Sequence, residues 1–277
     1  MNYVAILADR SVISLTGPDS RNLLQGLVSS DMAECVGGKA LYAALLTPQG
    51  KILFEFFIVE GGPDRLLIDC ASERAADLIK RLSMYKLRAK VVIAPAPELA
   101  VAAAWNSEAP EVAEIIFVDP RLPALGYRLI DTPAALEKIV AANSHGDYRA
   151  HLLAQGVPAS VDLPPDTVFA LDAGLEELHG VNFKKGCYVG QEVTSRMKHR
   201  ATARRRFVLA EGDGALPPSG TPLEAGGREI GTLASGVGPR ALALVRLDRL
   251  AEAENTGDVI TAAGRPVTLR KPGWFHG

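Results

Sequence analysis

Residues 184–196, reading Lys-Lys-Gly-Cys-Tyr-Val-Gly-Gln-Glu-Val-Thr-Ser-Arg, gather more distinct chemistry than any other window of the 277-residue chain. Cys187 lies between Gly186 and Gly190, with Lys184 and Lys185 before it and Gln191, Glu192 and Arg196 after it. Glycine adopts backbone conformations that other residues resist, so the main chain can bend sharply or approach a ligand beside this thiol. Neighbouring cations favour thiolate over thiol, and the thiolate is both the nucleophile and the metal ligand. Residue types alone leave a second reading open, in which Cys187 is a small buried apolar filler.

Other groups are weaker candidates. Asp172 and Glu176 are four residues apart and would share one face of a helix, and Asp172 stands shortly before the cysteine window. Tyr42, Tyr127, Tyr148 and Tyr188 have the shape to stack on a flat ligand, although tyrosines also fill cores with the hydroxyl satisfied. His145, His151, His179, His199 and His276 show no His-x-x-x-His spacing, and no stable metal site is expected. Gly236 and Gly238 form an isolated glycine pair in a β-rich stretch, which does not indicate a dinucleotide loop.

The elements that must position these residues follow from periodicity and turn chemistry. A strand is expected over 11–16, then a helix opened by Gly17-Pro18-Asp19 that carries Leu23, Leu24, Leu27 and Val28. Two β-rich runs, 41–46 and 52–59, flank Thr47-Pro48-Gln49-Gly50 and read as a hairpin. A strand over 66–70 leads into a helix capped by Ser72, with strands at 90–93, 99–105, 115–118 and 126–130 after it. Thr132-Pro133 and Asp147 open two helices, the second ending at Gly156. Gly190 precedes a short helix in which Glu192 and Arg196 would pair at i and i+4. Beyond Arg204 the pattern becomes β alone, in short glycine-punctuated segments, suggesting a small barrel or sandwich.

Composition sets the limits. With 48% hydrophobic residues, the chain is long enough for about two domains and a substantial core. Cys35, Cys70 and Cys187 are widely spaced and odd in number, which argues against a disulfide framework and for a reducing compartment. No leader or apolar membrane span is legible, so the expected location is cytoplasmic, with no membrane partner. A net charge of −2 gives no overall attraction to nucleic acid, yet from Lys184 to Arg206 the only acid is Glu192, against Lys184, Lys185, Arg196, Lys198, Arg200, Arg204, Arg205 and Arg206. That run would attract anions, such as an acidic partner or RNA. Few aromatics interleave it, so direct RNA binding is disfavoured.

The motif Lys-Lys-Gly-Cys-Tyr-Val-Gly-Gln-Glu resembles that of the YgfZ-type folate-binding proteins, relatives of the glycine-cleavage aminomethyltransferase, or T-protein. Thr47-Pro48-Gln49-Gly50 looks like that family's hairpin turn, Gly126-Tyr127-Arg128 like its mid-chain strand, and the stretch from Tyr148-Arg149 to Gly156-Val157-Pro158 like its helix before the motif. The resemblance implies an α+β fold, with interleaved ferredoxin-like subdomains forming a folate-binding unit over 1–203 and a small C-terminal β-barrel over 204–277. It implies tetrahydrofolate, or a derivative, in a central opening. It also implies a role in assembling or repairing iron–sulfur clusters in client enzymes, including tRNA-modifying ones. Cys187 then becomes the functional thiol. Lys185, Gly186, Tyr188, Gly190, Gln191 and Glu192 map onto the motif, and Arg196, Arg128, Arg149 and Asp172 join them as candidate folate contacts. A single cysteine cannot hold a cluster alone, so any cluster would be transient and shared with an iron–sulfur client or assembly protein.

Two positions depart from the aminomethyltransferase pattern. Where those enzymes carry a pair of acids, one of them catalytic, this chain has Phe54 and Glu55; where relatives often carry arginine before the motif, it has Leu152. Glu55 is a methylene longer than aspartate, and transfer chemistry is sensitive to displacements of that size. Two alternatives to the folate-binding accessory role remain: a one-carbon transferase using Glu55, and an RNA-associated module using the basic run.

Overall fold

The computed structural model describes residues 3–106, 108–110, 113–140, 145–200 and 204–276. Among the described residues the N-terminal part contains nine strands: β1 (Tyr3–Ile6), β2 (Arg10–Thr16), β3 (Leu41–Leu46), β4 (Ile52–Glu60), β5 (Arg65–Ala71), β6 (Val92–Pro95), β7 (Ala100–Trp105), β8 (Ile115–Val118) and β9 (Tyr127–Asp131). Its helices are α1 (Ser20–Gln25), α2 (Ala75–Lys86), α3 (Pro133–Glu137), α4 (His145–Ala154) and α5 (Gln191–His199). After α5 come β10 (Arg205–Glu211), β11 (Pro222–Ala225), β12 (Arg228–Val237), β13 (Arg240–Arg246), α6 (Leu247–Thr256), β14 (Thr261–Ala262), β15 (Arg265–Pro266) and β16 (Thr268–Arg270).

These strands form three sheets. One has five strands in the order β3-β4-β5-β2-β6, another four in the order β1-β7-β9-β8. The chain starts in the second, crosses to build the first, and returns, so the two sheets are interleaved. The third runs β15-β14-β11-β12-β13-β10-β16. Its outermost strands, β15 and β16, are separated in the chain by Val267 alone, which brings the two edges together into a nearly closed barrel. Near closure leaves little unpaired edge on which other chains could pair.

Alternation along β4 explains how one strand serves two cores. Phe54, Phe56 and Ile58 face the layer holding α1 and α2, where Leu24, Leu78 and Leu82 are buried. Phe57 and Val59 face the larger core shared with Tyr42, Trp105 and Tyr148, and Ile52 joins them because the β3–β4 register shifts between the Leu45–Phe54 and Leu46–Ile52 pairs. Side chains point alternately to opposite faces of a strand, so a buried sheet needs apolar residues on both.

The larger core contains a chain of charges. The Arg10 guanidinium donates to Glu55 Oε1 at 2.8 Å and to Asp69 Oδ1 at 2.6 Å. Arg128 donates to the other Asp69 oxygen and to Asp119 Oδ2, the latter at 3.3 Å. Arg121 grips Asp119 with two nitrogens, at 2.9 and 2.7 Å. Three cations alternate with three anions, and every member but Arg10 is buried at the whole-residue level, while the Arg10 side chain itself is 7% exposed. The Phe57 ring lies among them, its centroid 5.6, 4.9 and 3.8 Å from Arg10, Arg121 and Arg128. Burial opposes ionisation of Asp119, but Arg121 and Arg128 outweigh it and hold its carboxyl below the usual range.

Several expectations need correction. The stretch beyond Arg204 is not β alone, because α6 packs Leu250 and Ala253 onto the barrel core. Ser72 opens a short 3-10 turn and makes no cap to α2; its hydroxyl accepts from Ser11 at 2.7 Å. Asp172 and Glu176 lie in a run of turns rather than on a helix. Pro18 precedes α1 rather than opening it, and β1 was not expected. The expected boundary between 203 and 204 adjoins residues 201–203, which lie outside the described residues. Among the described residues no helix is long and apolar enough to cross a membrane.

Truncating Asp69 to alanine leaves Arg10 and Arg128 buried with one acceptor fewer each, and should lower stability by about 3–5 kcal/mol. Truncating Glu60, which pairs with Arg21 at a half-exposed site, should cost less than about 1 kcal/mol. Urea unfolding of the two variants tests this, and equal effects would contradict it.

Candidate functional site

The cysteine loop is held from several sides. The Asn182 side-chain carbonyl accepts from the backbone N–H groups of Lys184 and Lys185 at 2.7 and 3.1 Å, and its amide donates to Glu34 at 3.0 Å. Lys185 is buried, and its ammonium donates to the carbonyls of Gln25, Val28 and Ser30 at 2.8, 2.5 and 2.9 Å. Burial pushes that ammonium down to about 8, with Asp31 opposing. Tyr188 is also buried, and burial pushes its phenol up to about 12. Between these two inward anchors Cys187 is exposed. The other thiols are buried, which raises Cys35 to about 11 and Cys70 to about 12.

Gly190 begins α5 with φ +84°, and a Cβ there would fall 2.5 Å from the Thr47 carbonyl oxygen. Gly50, at φ +80°, would put a Cβ 3.2 Å from the Thr194 hydroxyl. Both glycines have the left-handed backbone that L side chains resist, and their close approach joins the hairpin turn to the motif helix. Thr194 closes the contact by donating to the Gly190 carbonyl at 2.9 Å.

A cavity of about 760 Å³ opens between the β3 side of the first sheet and the β8–β9 side of the second. Tyr42, Phe117, Tyr127, Ile116 and Pro123 supply apolar walls, with Lys39, Glu34 and Asp119 among its polar lining. The Tyr42 hydroxyl is buried and has no hydrogen-bond partner among the described residues. A second hollow, of about 370 Å³, shares Glu34, Leu41 and His179 with the first and reaches Asn182, Lys184 and Lys198 beside the cysteine loop. Ligand sites commonly combine such volume and apolar lining with a few polar groups.

The expected site residues separate into two sets. Lys184 reaches the second hollow, and Tyr42 and Tyr127 line the first. Glu55 does not line either. It borders a separate cavity of about 200 Å³ with Ser160, Cys70 and Arg74, and its carboxylate is bound by Arg10 and Ser160. Burial opposes its ionisation, yet Arg10, Ser160 and Arg121 hold its carboxyl below the usual range.

Other candidates carry structural contacts. Arg128 belongs to the buried charge chain, because its position on β9 points it at Asp69 and Asp119. Arg149 joins Asp162 at 3.0 Å and Ser235 of β12, tying α4 to the barrel, while Leu152 packs in the main core. Asp172 faces Arg206 at 3.9 Å, and Glu176 turns away to Lys198. Burial lifts the Asp172 carboxyl to about 6, against the pull of Arg206 and Arg205. Arg206 also meets Glu177 at 3.6 Å, so it is committed to this junction while Arg204 and Arg205 are exposed. Among the described residues Glu192 and Arg196 form no ion pair, and both are exposed. Gln191 is half-buried at the start of α5, and a Cβ at Gly186 would meet nothing within 4 Å. Sequence reasoning missed the cavity residues Phe117, Asp119 and Glu34; only their conjunction in the fold marks them.

The architecture is that of the aminomethyltransferase fold with a C-terminal barrel. The glycine cleavage system aminomethyltransferase T from Bartonella henselae superposes with a TM-score of 0.72 at 16% identity, covering 89% of this chain and 79% of that one. Residues 204–277 match the CAF17 C-terminal beta-barrel domain. Iron-sulfur cluster assembly factor IBA57, mitochondrial, from Mus musculus is 33% identical over 88% of this chain and 77% of its own length. The Homo sapiens protein of that name is 32% identical over the same shares, 88% and 77%. The chain belongs to the IBA57 family of iron–sulfur cluster assembly factors. These relatives are named as mitochondrial, which overturns the cytoplasmic expectation. Unpaired cysteines mark a reducing environment and do not choose among compartments.

Gly190→Ala should lower stability by about 2 kcal/mol or more through its positive φ and the Thr47 contact, whereas Gly186→Ala should be near neutral. Thermal unfolding distinguishes them. For Asp172, a folded-state pKa raised above the unfolded one means that its contribution to stability is present below the ordinary carboxylate range and is lost as pH rises through about 6. The stability of Asp172→Asn relative to wild type should therefore improve between about pH 4 and pH 7. A flat difference across that range contradicts the assignment.

Proposed function

We propose that this chain supports assembly or repair of iron–sulfur clusters in client enzymes, tRNA-modifying enzymes among them, and that it does so as a tetrahydrofolate-binding accessory protein. The observation that carries the reading is Cys187, exposed on a loop whose neighbours Lys185 and Tyr188 are buried. A thiol so held can meet a partner without the loop first having to order. Clusters take several thiolates, so Cys187 would supply one ligand to a cluster whose remaining ligands belong to a client or assembly protein. The cluster is cargo in this reading. Names of the family's members support the cluster role.

The cavity residues fit a folate. Tyr42, Phe117 and Tyr127 give aromatic walls for a pteridine, and the unpartnered Tyr42 hydroxyl awaits a polar atom. Lys184 stands at the second hollow, and Lys39 and Lys198, paired with Glu34 and Glu176, flank the two hollows where an anionic tail would be attracted. Tetrahydrofolate, when bound, supplies amine nitrogens able to carry a one-carbon unit. This chain's residues bind and orient the ring and shield it from water. Nothing in the geometry favours Glu55 as an aminomethyl-transfer group, since Arg10 and Ser160 hold it beside a different cavity. The RNA reading likewise loses Arg206 to Asp172 and Glu177.

Cys187→Ala should depress activity of an iron–sulfur client in cells while leaving tetrahydrofolate affinity within about twofold of wild type; unchanged client activity contradicts the cluster role. Calorimetric titration with tetrahydrofolate should show binding that Tyr42→Phe weakens about fivefold, the effect of one lost hydrogen bond. No heat of binding with wild type would end the folate part and leave the cluster part standing.

A further inference from the structure

The surface formed by the end of α2, the turn after it and the start of β6 combines unpaired cations with exposed aliphatic side chains. Between Asp77 and Glu98 the chain has no acid, yet it contains Lys80, Arg81, Lys86, Arg88 and Lys90. Among the described residues none of these five forms an ion pair. Arg81 instead lies over the Tyr85 ring at 5.6 Å. Surface cations elsewhere commonly have partners, as in Arg65–Glu98, Arg240–Glu211 and Arg246–Asp248. This is a block of unneutralised charge on a protein whose net charge is −2.

Its centre is apolar. Met84, Leu87 and Val92 are 62, 89 and 62% exposed. Lys80, Met84 and Leu87 follow at helical spacing on the face of α2 opposite the buried Leu78 and Leu82. Leu87 ends the helix at φ +44°, a backbone that leucine adopts at a cost, and the strained turn leaves its side chain in solvent. Val92 follows at once on the outer strand of the five-stranded sheet. Met84, Leu87 and Val92 are each more than half exposed and line none of the cavities described above, so their aliphatic side chains project from the surface as what is here called a ridge. Pro95 and Pro97 blunt the outer strand against pairing with another chain.

We propose that this ridge adsorbs to an anionic phospholipid surface, with Leu87, Met84 and Val92 entering the interface and Lys80, Lys86, Arg88 and Lys90 facing headgroup phosphates. A bilayer deforms around a ridge, whereas a protein partner needs a matching pocket, and aliphatic tips ringed by unpaired cations have the composition of an interfacial anchor. Surface adsorption requires no spanning helix, so it agrees with the absence of one among the described residues. Each basic residue near such a surface contributes on the order of 1 kcal/mol, about fivefold in partition.

The test is cosedimentation of the full chain with vesicles of phosphatidylcholine, alone or mixed with phosphatidylglycerol. The expected result is binding to the mixed vesicles only, abolished near about 1 M salt, where the screening length falls to about 3 Å. Lys86→Gln, Arg88→Gln and Lys90→Gln together should lower the partition coefficient about a hundredfold. Leu87→Gly should lower it about tenfold while holding or raising the melting temperature, because glycine accepts the positive φ that leucine strains to adopt. Equal binding to neutral and anionic vesicles, no binding to either, or full binding by the triple variant overturns the proposal; capture of an acidic protein by the same residues without vesicle binding does so as well.

Discussion

The alternating charges Glu55, Arg10, Asp69, Arg128, Asp119 and Arg121 fix how the two N-terminal sheets meet. Glu55, Arg10 and Asp69 stand on β4, β2 and β5 of one sheet, Arg128 on β9 of the other, and Asp119 and Arg121 just beyond β8. An isolated buried charge costs several kcal/mol, so each member is tolerable only between its neighbours. Hydrophobic burial brings the sheets together without direction; the charge chain supplies the register. One end of it borders the small cavity through Glu55, and the other borders the large cavity through Asp119. The geometry of the large cavity therefore depends on contacts that lie mostly outside it.

The cysteine loop uses the same economy of anchoring at smaller scale. Its fixed points are a lysine enclosed by three carbonyls, a buried tyrosine and a glycine pressed against the hairpin turn. Lys185 satisfies carbonyls left near the end of α1, which would otherwise be buried without donors. Holding the flanks while leaving Cys187 in solvent separates stability from reactivity, so the thiol can be replaced with little effect on packing.

Much of the fold was legible in the sequence because its signals are local. The Thr-Pro-Gln-Gly hairpin, the glycine before α5 and the glycine-rich turns of the barrel each state their conformation within a few residues. The charge chain was not legible, because its members are spread over 119 positions and each reads alone as a polar exception on a strand. The resemblance offers Arg128 and Arg149 as folate contacts, while sequence shows the cations but not the acids, Asp69, Asp119 and Asp162, that folding brings to them. The helix α6 was missed although Leu247, Leu250 and Ala253 recur at a spacing of three, because it stands alone among short glycine-punctuated strands. For the adjacent Lys184 and Lys185, nothing in the sequence decides which turns inward; the carbonyls of residues 25, 28 and 30 decide it.

The fate of Glu55 shows how one position of a fold can be given over to structure. In the aminomethyltransferase pattern an acid on this strand serves the reaction, and a group in that role must be free to exchange contacts with its substrate. Here the corresponding carboxylate is the terminal anion of a buried ionic chain, bound by Arg10 and Ser160. Freeing it would leave Arg10 undercompensated in the core, a cost of several kcal/mol before any substrate contact is made. Structural use of Glu55 thus competes directly with catalytic use. The competition leaves the exposed thiol of Cys187, rather than the buried carboxylate, as the group available to a partner.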